Sequence, residues 1–182
     1  MEREHKPENE PALVNIDLAV PEDAEEIVRI MKDTWRSIYA SPKNGVSQAW
    51  LDKTAKSFRP EYVVKKLEDN KDNPTHLFIV ARNRSGKMIG FLQGIKKPRF
   101  NELRSIYLDV IDIGNGTGGK LMEYFLNWSD TDNPSQLEVA SYNERAKGFY
   151  EHFGFTVTNE QIDKFLGVMP QTRMIRPPQN NT

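Results

Sequence analysis

The sequence predicts an α/β fold: a mixed, mostly antiparallel sheet of about seven strands, flanked by helices. Three observations predict it. Helix-period apolar stripes fill the first third of the chain, strand-like runs cluster after Asn73-Pro74, and the two patterns alternate from Gly116 onward.

Leu13–Val20 alternates apolar and polar residues, which predicts a first strand. Pro21-Glu22-Asp23 opens a helix with proline and acids in its first turn. Ile27, Ile30, Met31, Thr34 and Trp35 share one face of it. A loop around Ser41–Gly45 leads to a second helix from Val46 to Lys56. Pro60 opens a third, with Tyr62, Val63 and Leu67 at helical spacing. Leu77–Ala81 and Met88–Ile95 flank the turn Asn83–Lys87, a hairpin signal, and Glu102–Ile111 continues the run as a fourth strand. Gly116–Trp128 returns to helical period, with Leu121, Met122, Phe125 and Leu126 as its apolar stripe. Leu137–Ala140 is a strand, and Asn143–Phe153 a helix with Ala146, Phe149, Tyr150 and Phe153 on one face. Phe155–Thr158 and Thr172–Ile175 complete the sheet.

A chain of 182 residues has room for one core of useful size. Residues 1–12 are charged and contain proline, so they read as a flexible tail; 13–177 form a single domain, and 178–182 a C-terminal tail.

Composition removes several function classes. The formal net charge is −1, which does not point to nucleic acid as a partner. There are no cysteines, so disulfides, thiolate metal sites and a cysteine nucleophile are excluded. His5, His76 and His152 lack ligand-like spacing, and no metal site is expected. No apolar run approaches the ~20 residues of a membrane span, and the charged start of the chain lacks a signal-peptide core. A cytoplasmic protein with no membrane partner is the expectation.

The richest segment is Ser105–Met122, where an apolar strand runs through a loop with four glycines into a helix. Glycine admits φ > 0 and lets a ligand approach the backbone closely. A helix that starts there offers unpaired N–H groups and a positive dipole end. The loop therefore reads as a cradle for the phosphates of a nucleotide or coenzyme, with a ligand-free turn as the alternative. Gly114-x-Gly116-x-x-Gly119 fits the dinucleotide fingerprint formally, but that motif belongs in a first βαβ unit, and here it follows an antiparallel run. Gly114–Lys120 also fits most of a P-loop. Leu121 then stands where a hydroxyl must ligate Mg²⁺, which argues against an NTPase.

Farther along lies Asn143-Glu-Arg-Ala-Lys-Gly-Phe-Tyr-Glu-His-Phe-Gly-Phe155. With this second motif the chain resembles the GNAT superfamily of acetyl-CoA-dependent N-acetyltransferases. That family carries a Gln/Arg-x-x-Gly-x-Gly/Ala loop after the fourth strand and an Asn…Ala…Phe-Tyr…Gly-Phe helix after the fifth. Both occur here in order, on matching elements; Ile113 replaces the usual Gln or Arg.

The resemblance implies a sheet splayed between its fourth and fifth strands, with acetyl-CoA as co-substrate. The pantetheine arm would pair with the backbone at Leu108 and Val110. The pyrophosphate would lie on the loop formed by Ile113, Gly114, Asn115, Gly116, Thr117, Gly118 and Gly119, with Asn143 as a further contact. Asn143 also suits a helix cap by residue type. Tyr150 matches the tyrosine that protonates the departing thiolate, and Glu102 matches a glutamate base, with Asp109 and Tyr107 as fallbacks. Trp35, Tyr39 and Trp50 fall where relatives build the acceptor wall. The implied reaction is direct attack of a primary amine, small-molecule or peptide/protein, on acetyl-CoA in a ternary complex. Relatives are often dimers, so a homodimer is an expectation too. A non-catalytic acyl-CoA-binding or regulatory domain on the same scaffold is the alternative, and Ile113 is the feature that favours it.

Overall fold

A computed structural model describes residues 14–179. Seven strands form one sheet in the order β1-β2-β3-β4-β5-β7-β6: β1 Asn15–Leu18, β2 His76–Arg82, β3 Met88–Lys97, β4 Phe100–Leu108, β5 Ser135–Ala140, β6 Thr156–Val157 and β7 Gln171–Arg176. Every neighbouring pair is antiparallel except β4 and β5, which run parallel. Five α-helices cover the sheet: α1 Ala24–Ile38, α2 Gln48–Ala55, α3 Pro60–Asp69, α4 Thr117–Trp128 and α5 Glu144–His152.

Local chemistry explains several boundaries. Asp23 accepts from the Val20 amide at 3.0 Å, closing a 3-10 turn that feeds α1. Ser47 caps α2 by accepting from the Trp50 amide at 3.2 Å. In the β2–β3 turn the Asn83 side chain accepts from the Ser85 and Lys87 amides.

The two faces bury different sets. Leu121, Met122 and Phe125 of α4 pack against Leu77, Ile79, Leu92, Leu103, Leu137 and Val139 of the sheet. On the opposite face Ile27 and Ile30 of α1 meet Val80, Met88 and Phe91, while Trp35, Val46 and Leu51 gather with Ala140 and Met169. Helices α1, α2 and α4 bury apolar stripes, the dominant favourable term in such a layered domain. By contrast, α3 buries only Leu67 and leaves Tyr62 exposed, and α5 packs its aromatic face half-buried.

Two expectations change. The fourth strand ends at Leu108, because Val110–Asp112 turn into a 3-10 helix and Ile111 is 76% exposed. At the break the Asp109 amide still donates to the Ile89 carbonyl, its carboxylate meets Arg29 and Lys87, each at 3.2 Å, and the Asp112 amide bonds back to the Asp109 carbonyl. An apolar run alone cannot reveal that break. Leu13 and the tail 1–12 lie outside the described residues, as do 180–182. Within the expected C-terminal tail, Gln179 bonds back to the Thr131 and Leu126 carbonyls, at 2.9 and 3.2 Å.

Candidate active site

The parallel pair β4–β5 is joined for only three residues. Asn101, Glu102 and Leu103 stand opposite Ser135, Gln136 and Leu137. Asn101 fastens that end: its buried side chain donates to the Asp130 and Asn133 carbonyls and accepts from the Asp130 amide. Beyond Leu103 the strands part. The cause is visible on β4, where Gly94 faces Leu103 and Gln93 faces Ser105, leaving Arg104 as the extra residue of a bulge. Bulges bend a strand and raise its twist.

A cavity of about 730 Å³ fills the opening, walled by Leu103–Leu108 of β4 and Leu137–Ala140 of β5. The sequence-derived candidates Leu108, Ile113, Gly114, Gly116, Gly118, Gly119, Asn143 and Tyr150 all line it. Glu102, Val110, Asn115 and Thr117 do not. Val110 lies off the fourth strand, in the 3-10 turn that follows its end at Leu108. Thr117 is buried as the first residue of α4, where its amide, not its side chain, remains relevant.

The glycine loop has the geometry a phosphate cradle requires. Gly114 and Gly116 take φ of 97° and 83°, the left-handed region that a β-branched residue enters only with strain. Gly116 is the N-cap of α4, and its carbonyl already accepts from Lys120. The amides of Thr117, Gly118 and Gly119 precede that bond and have no partner within the helix. Twelve residues of helix stand behind them, with the positive end toward the loop.

Tyr150 enters from α5, with its ring packed edge-on to Phe149 and Phe155. Burial, and then neighbouring Tyr107, push its phenol far above the usual range, so it stays protonated. Tyr107 and Tyr39 are raised as well, burial first. Tyr107 accepts from the Trp35 indole at 3.1 Å, and Tyr142 donates to the Tyr39 carbonyl at 2.7 Å. Asn143 caps α5, accepting from the Ala146 amide at 3.1 Å. The Leu108 carbonyl accepts from Thr34 at 3.1 Å, which ties the end of β4 to α1.

The carboxylates fall into place differently from the sequence reading. Glu102 lies beside the cavity wall, held by Arg104 at 3.2 Å and near Lys97 at 4.0 Å. Burial would raise the Asp109 carboxyl, but hydrogen bonds from Lys87 and Arg29 outweigh it and hold the group below the ordinary range. Asp109 is thus a poor proton acceptor. The charged lining residues Arg104, Glu123 and Arg145 were not singled out from sequence, nor was Glu138 on β5, which pairs with Arg173 at 2.9 Å. Glu138 was detectable, because it alternates with Leu137 and Val139 and must face away from the α4 core.

The far wall is aromatic. Trp35 stands 5.2 Å from the rings of both Tyr39 and Phe58, and 5.4 Å from Phe165. Trp35, Tyr39, Phe165 and Met169 line the cavity; Trp50 packs behind Trp35 at 6.1 Å.

The model of the GNAT acetyltransferase domain matches residues 43–170, more than half of the chain. The chain belongs to the GNAT acetyltransferase family. No curated protein matches it in sequence. Among solved structures, the GNAT fold is shared with the PaiA N-acetyltransferase from Thermoplasma acidophilum in complex with coenzyme A. That match has 19% identity and TM-score 0.73, covering 91% of this chain and 99% of that one. YncA from Salmonella typhimurium, a putative acetyltransferase solved with acetyl-CoA, gives 18% identity and TM-score 0.69, covering 93% and 95%. A spermidine N-acetyltransferase SpeG chimera from Vibrio cholerae and hSSAT gives 17% and 0.68, covering 91% and 95%. Among the described residues no group of three His, Cys, Asp or Glu is placed to hold a metal ion, and no helix is long and apolar enough to cross a membrane.

Proposed function

We propose that this GNAT domain transfers the acetyl group of acetyl-CoA to a primary amine by direct attack, with both substrates bound together. The observation that carries the reading is a single cavity that touches the glycine loop, the parted β4–β5 strands, Tyr150 and the aromatic wall. Unpaired amides of Thr117–Gly119, with Gly114 and Gly116 giving access, would hold the pyrophosphate. The open edge of β4 up to Leu108 would pair with the pantetheine amides, as a missing strand would. Asn143 stands at the same wall as a further coenzyme contact.

In the reaction the neutral amine attacks the thioester carbon, a C–N bond forms and the C–S bond breaks. Backbone N–H groups on the strand edge would stabilise the charge that develops on the carbonyl oxygen. Tyr150 is the proposed proton donor to the leaving thiolate. Burial keeps the phenol protonated but makes it a weaker acid, so its role is to hydrogen-bond the sulfur as charge develops and give up its proton there. The amine's proton leaves to a carboxylate through water. Glu102 is the residue proposed from sequence, and Glu138 is the second candidate because it lines the cavity itself. Juxtaposing the two substrates supplies much of the rate.

The test is free-thiol release from acetyl-CoA with a panel of amino acids, polyamines, small amines and peptides. Amine-dependent release that tracks N-acetyl product supports the reading. Tight acetyl-CoA binding with no release across the panel would favour a non-catalytic acyl-CoA-binding domain, to which Ile113 in the loop lends itself.

A further inference from the structure

The acceptor side of the opening carries an arrangement that selects among amines. The first residues beyond the last β4–β5 pair are Arg104 on one lip and Glu138 on the other, and both line the cavity. A bulge residue is re-aimed relative to its strand, and Arg104 is the bulge residue of β4. Its Nη1 contacts Glu102 at 3.2 Å, its side chain is half exposed, and a guanidinium has five donors to offer.

The cavity itself is lined by Arg104 and Arg145 against Glu123 and Glu138. Beside the Arg104–Glu138 lips Lys66, Lys97, Arg104 and Arg173 stand among three carboxylates, Glu102, Glu138 and Glu160. Each carboxylate is already held: Glu102 by Arg104 and Lys97, Glu138 and Glu160 by Arg173. Lys66 has the neutral Gln93 amide oxygen as its bonded partner. Burial, and then the charge of Arg104, lower the affinity of Lys66 for its proton. Burial and the charges of Lys66 and Lys97 do the same to His76. A polyamine would bring two or more ammonium groups to a face whose three carboxylates are already paired, whereas a zwitterion brings one and offsets it with a carboxylate for Arg104. Behind the lips the pocket turns apolar, with Trp35, Phe165 and Met169.

We infer that the preferred acceptor is an amino-acid-like zwitterion with an apolar or aromatic body, its carboxylate on Arg104 and its amine toward Glu138, rather than a polyamine. This rests on the acetyltransferase reading above and names its substrate class. Guanidinium and carboxylate match in a two-pronged geometry that an ammonium cannot reproduce. The apolar body gains by leaving water for the Trp35 wall.

Three acceptors test it: L-phenylalanine, phenethylamine, which lacks only the carboxylate, and spermidine. Wild-type kcat/KM is expected to favour phenylalanine over each of the others by about 10- to 100-fold. In Arg104→Ala the phenylalanine-to-phenethylamine ratio should fall toward one, chiefly through KM, and Arg104→Lys should restore part of it. Calorimetry on each variant with CoA shows whether the coenzyme end is intact. Preference for spermidine, or a ratio that Arg104→Ala leaves in place, overturns the inference while acetyl transfer itself stands. Intact CoA binding with none of the three acetylated also overturns it. Failure of the wild type to bind CoA removes the acetyltransferase reading as well.

Discussion

On the α4–α5 side of the split, what the protein offers a ligand is chiefly backbone: glycines at positive φ, the first amides of α4 and the edge of β4 beyond Leu103, with Asn143 and Tyr150 of the α5 segment beside them. On the α1–α3 side it offers side chains: Trp35, Tyr39, Phe165, Arg104 and Glu138. The first kind of surface is generic, since any sequence with the right turn and helix start can supply it. The second is particular to this chain. A family that keeps one co-substrate and varies the other is well served by that division, and the split strands are where the halves meet.

Removing the group at the meeting point should have the largest effect. Tyr150→Phe is expected to lower kcat by about 10- to 1,000-fold while CoA affinity measured by calorimetry stays near wild type. An unchanged rate would return Tyr150 to the core beside Phe149. Next comes the generic half. Gly116→Val forces a β-branched residue to φ near 83°, at a cost of about 1–3 kcal/mol. CoA affinity should drop by roughly 5- to 150-fold, and equal affinity would show that the loop is a turn and nothing more.

On the particular half, Glu138→Gln and Glu102→Gln separate the two proposed bases. The true base should lose about 10- to 100-fold in kcat/KM below the amine pKa, with recovery as pH rises and free amine becomes abundant. A loss that is flat in pH for both would exclude both. The smallest effect is on stability. Asp109→Asn should cost about 1–3 kcal/mol at pH 7, read from urea unfolding. The folded carboxyl titrates below its unfolded value of about 3.9. Its contribution is therefore complete above that value and disappears as pH falls through the folded pKa. The wild-type and variant curves should converge in acid; a constant gap would mean that the charge is irrelevant.

The same division decides what could be read in advance. The element order, the glycine loop and the α5 motif were legible because backbone conformations demand particular residue types at fixed spacing, as at Gly116, Asn143 and Gly154. The end of β4 was not, since Val110 and Ile111 look like strand, and the turn after Asp109 sits among tertiary contacts with Arg29 and Lys87 that no local pattern encodes. Arg104 was hidden because a bulge is a property of two strands together. Phe165 and Met169 reach Trp35 from a segment more than a hundred residues away in sequence, which no local pattern encodes.

The most direct measurement is amide hydrogen exchange with and without CoA. Slowed exchange is predicted at Gly114–Gly119 and along Arg104–Leu108 together, with the already paired Asn101–Leu103 little changed. CoA binding that protects neither the loop nor the strand edge would contradict the account.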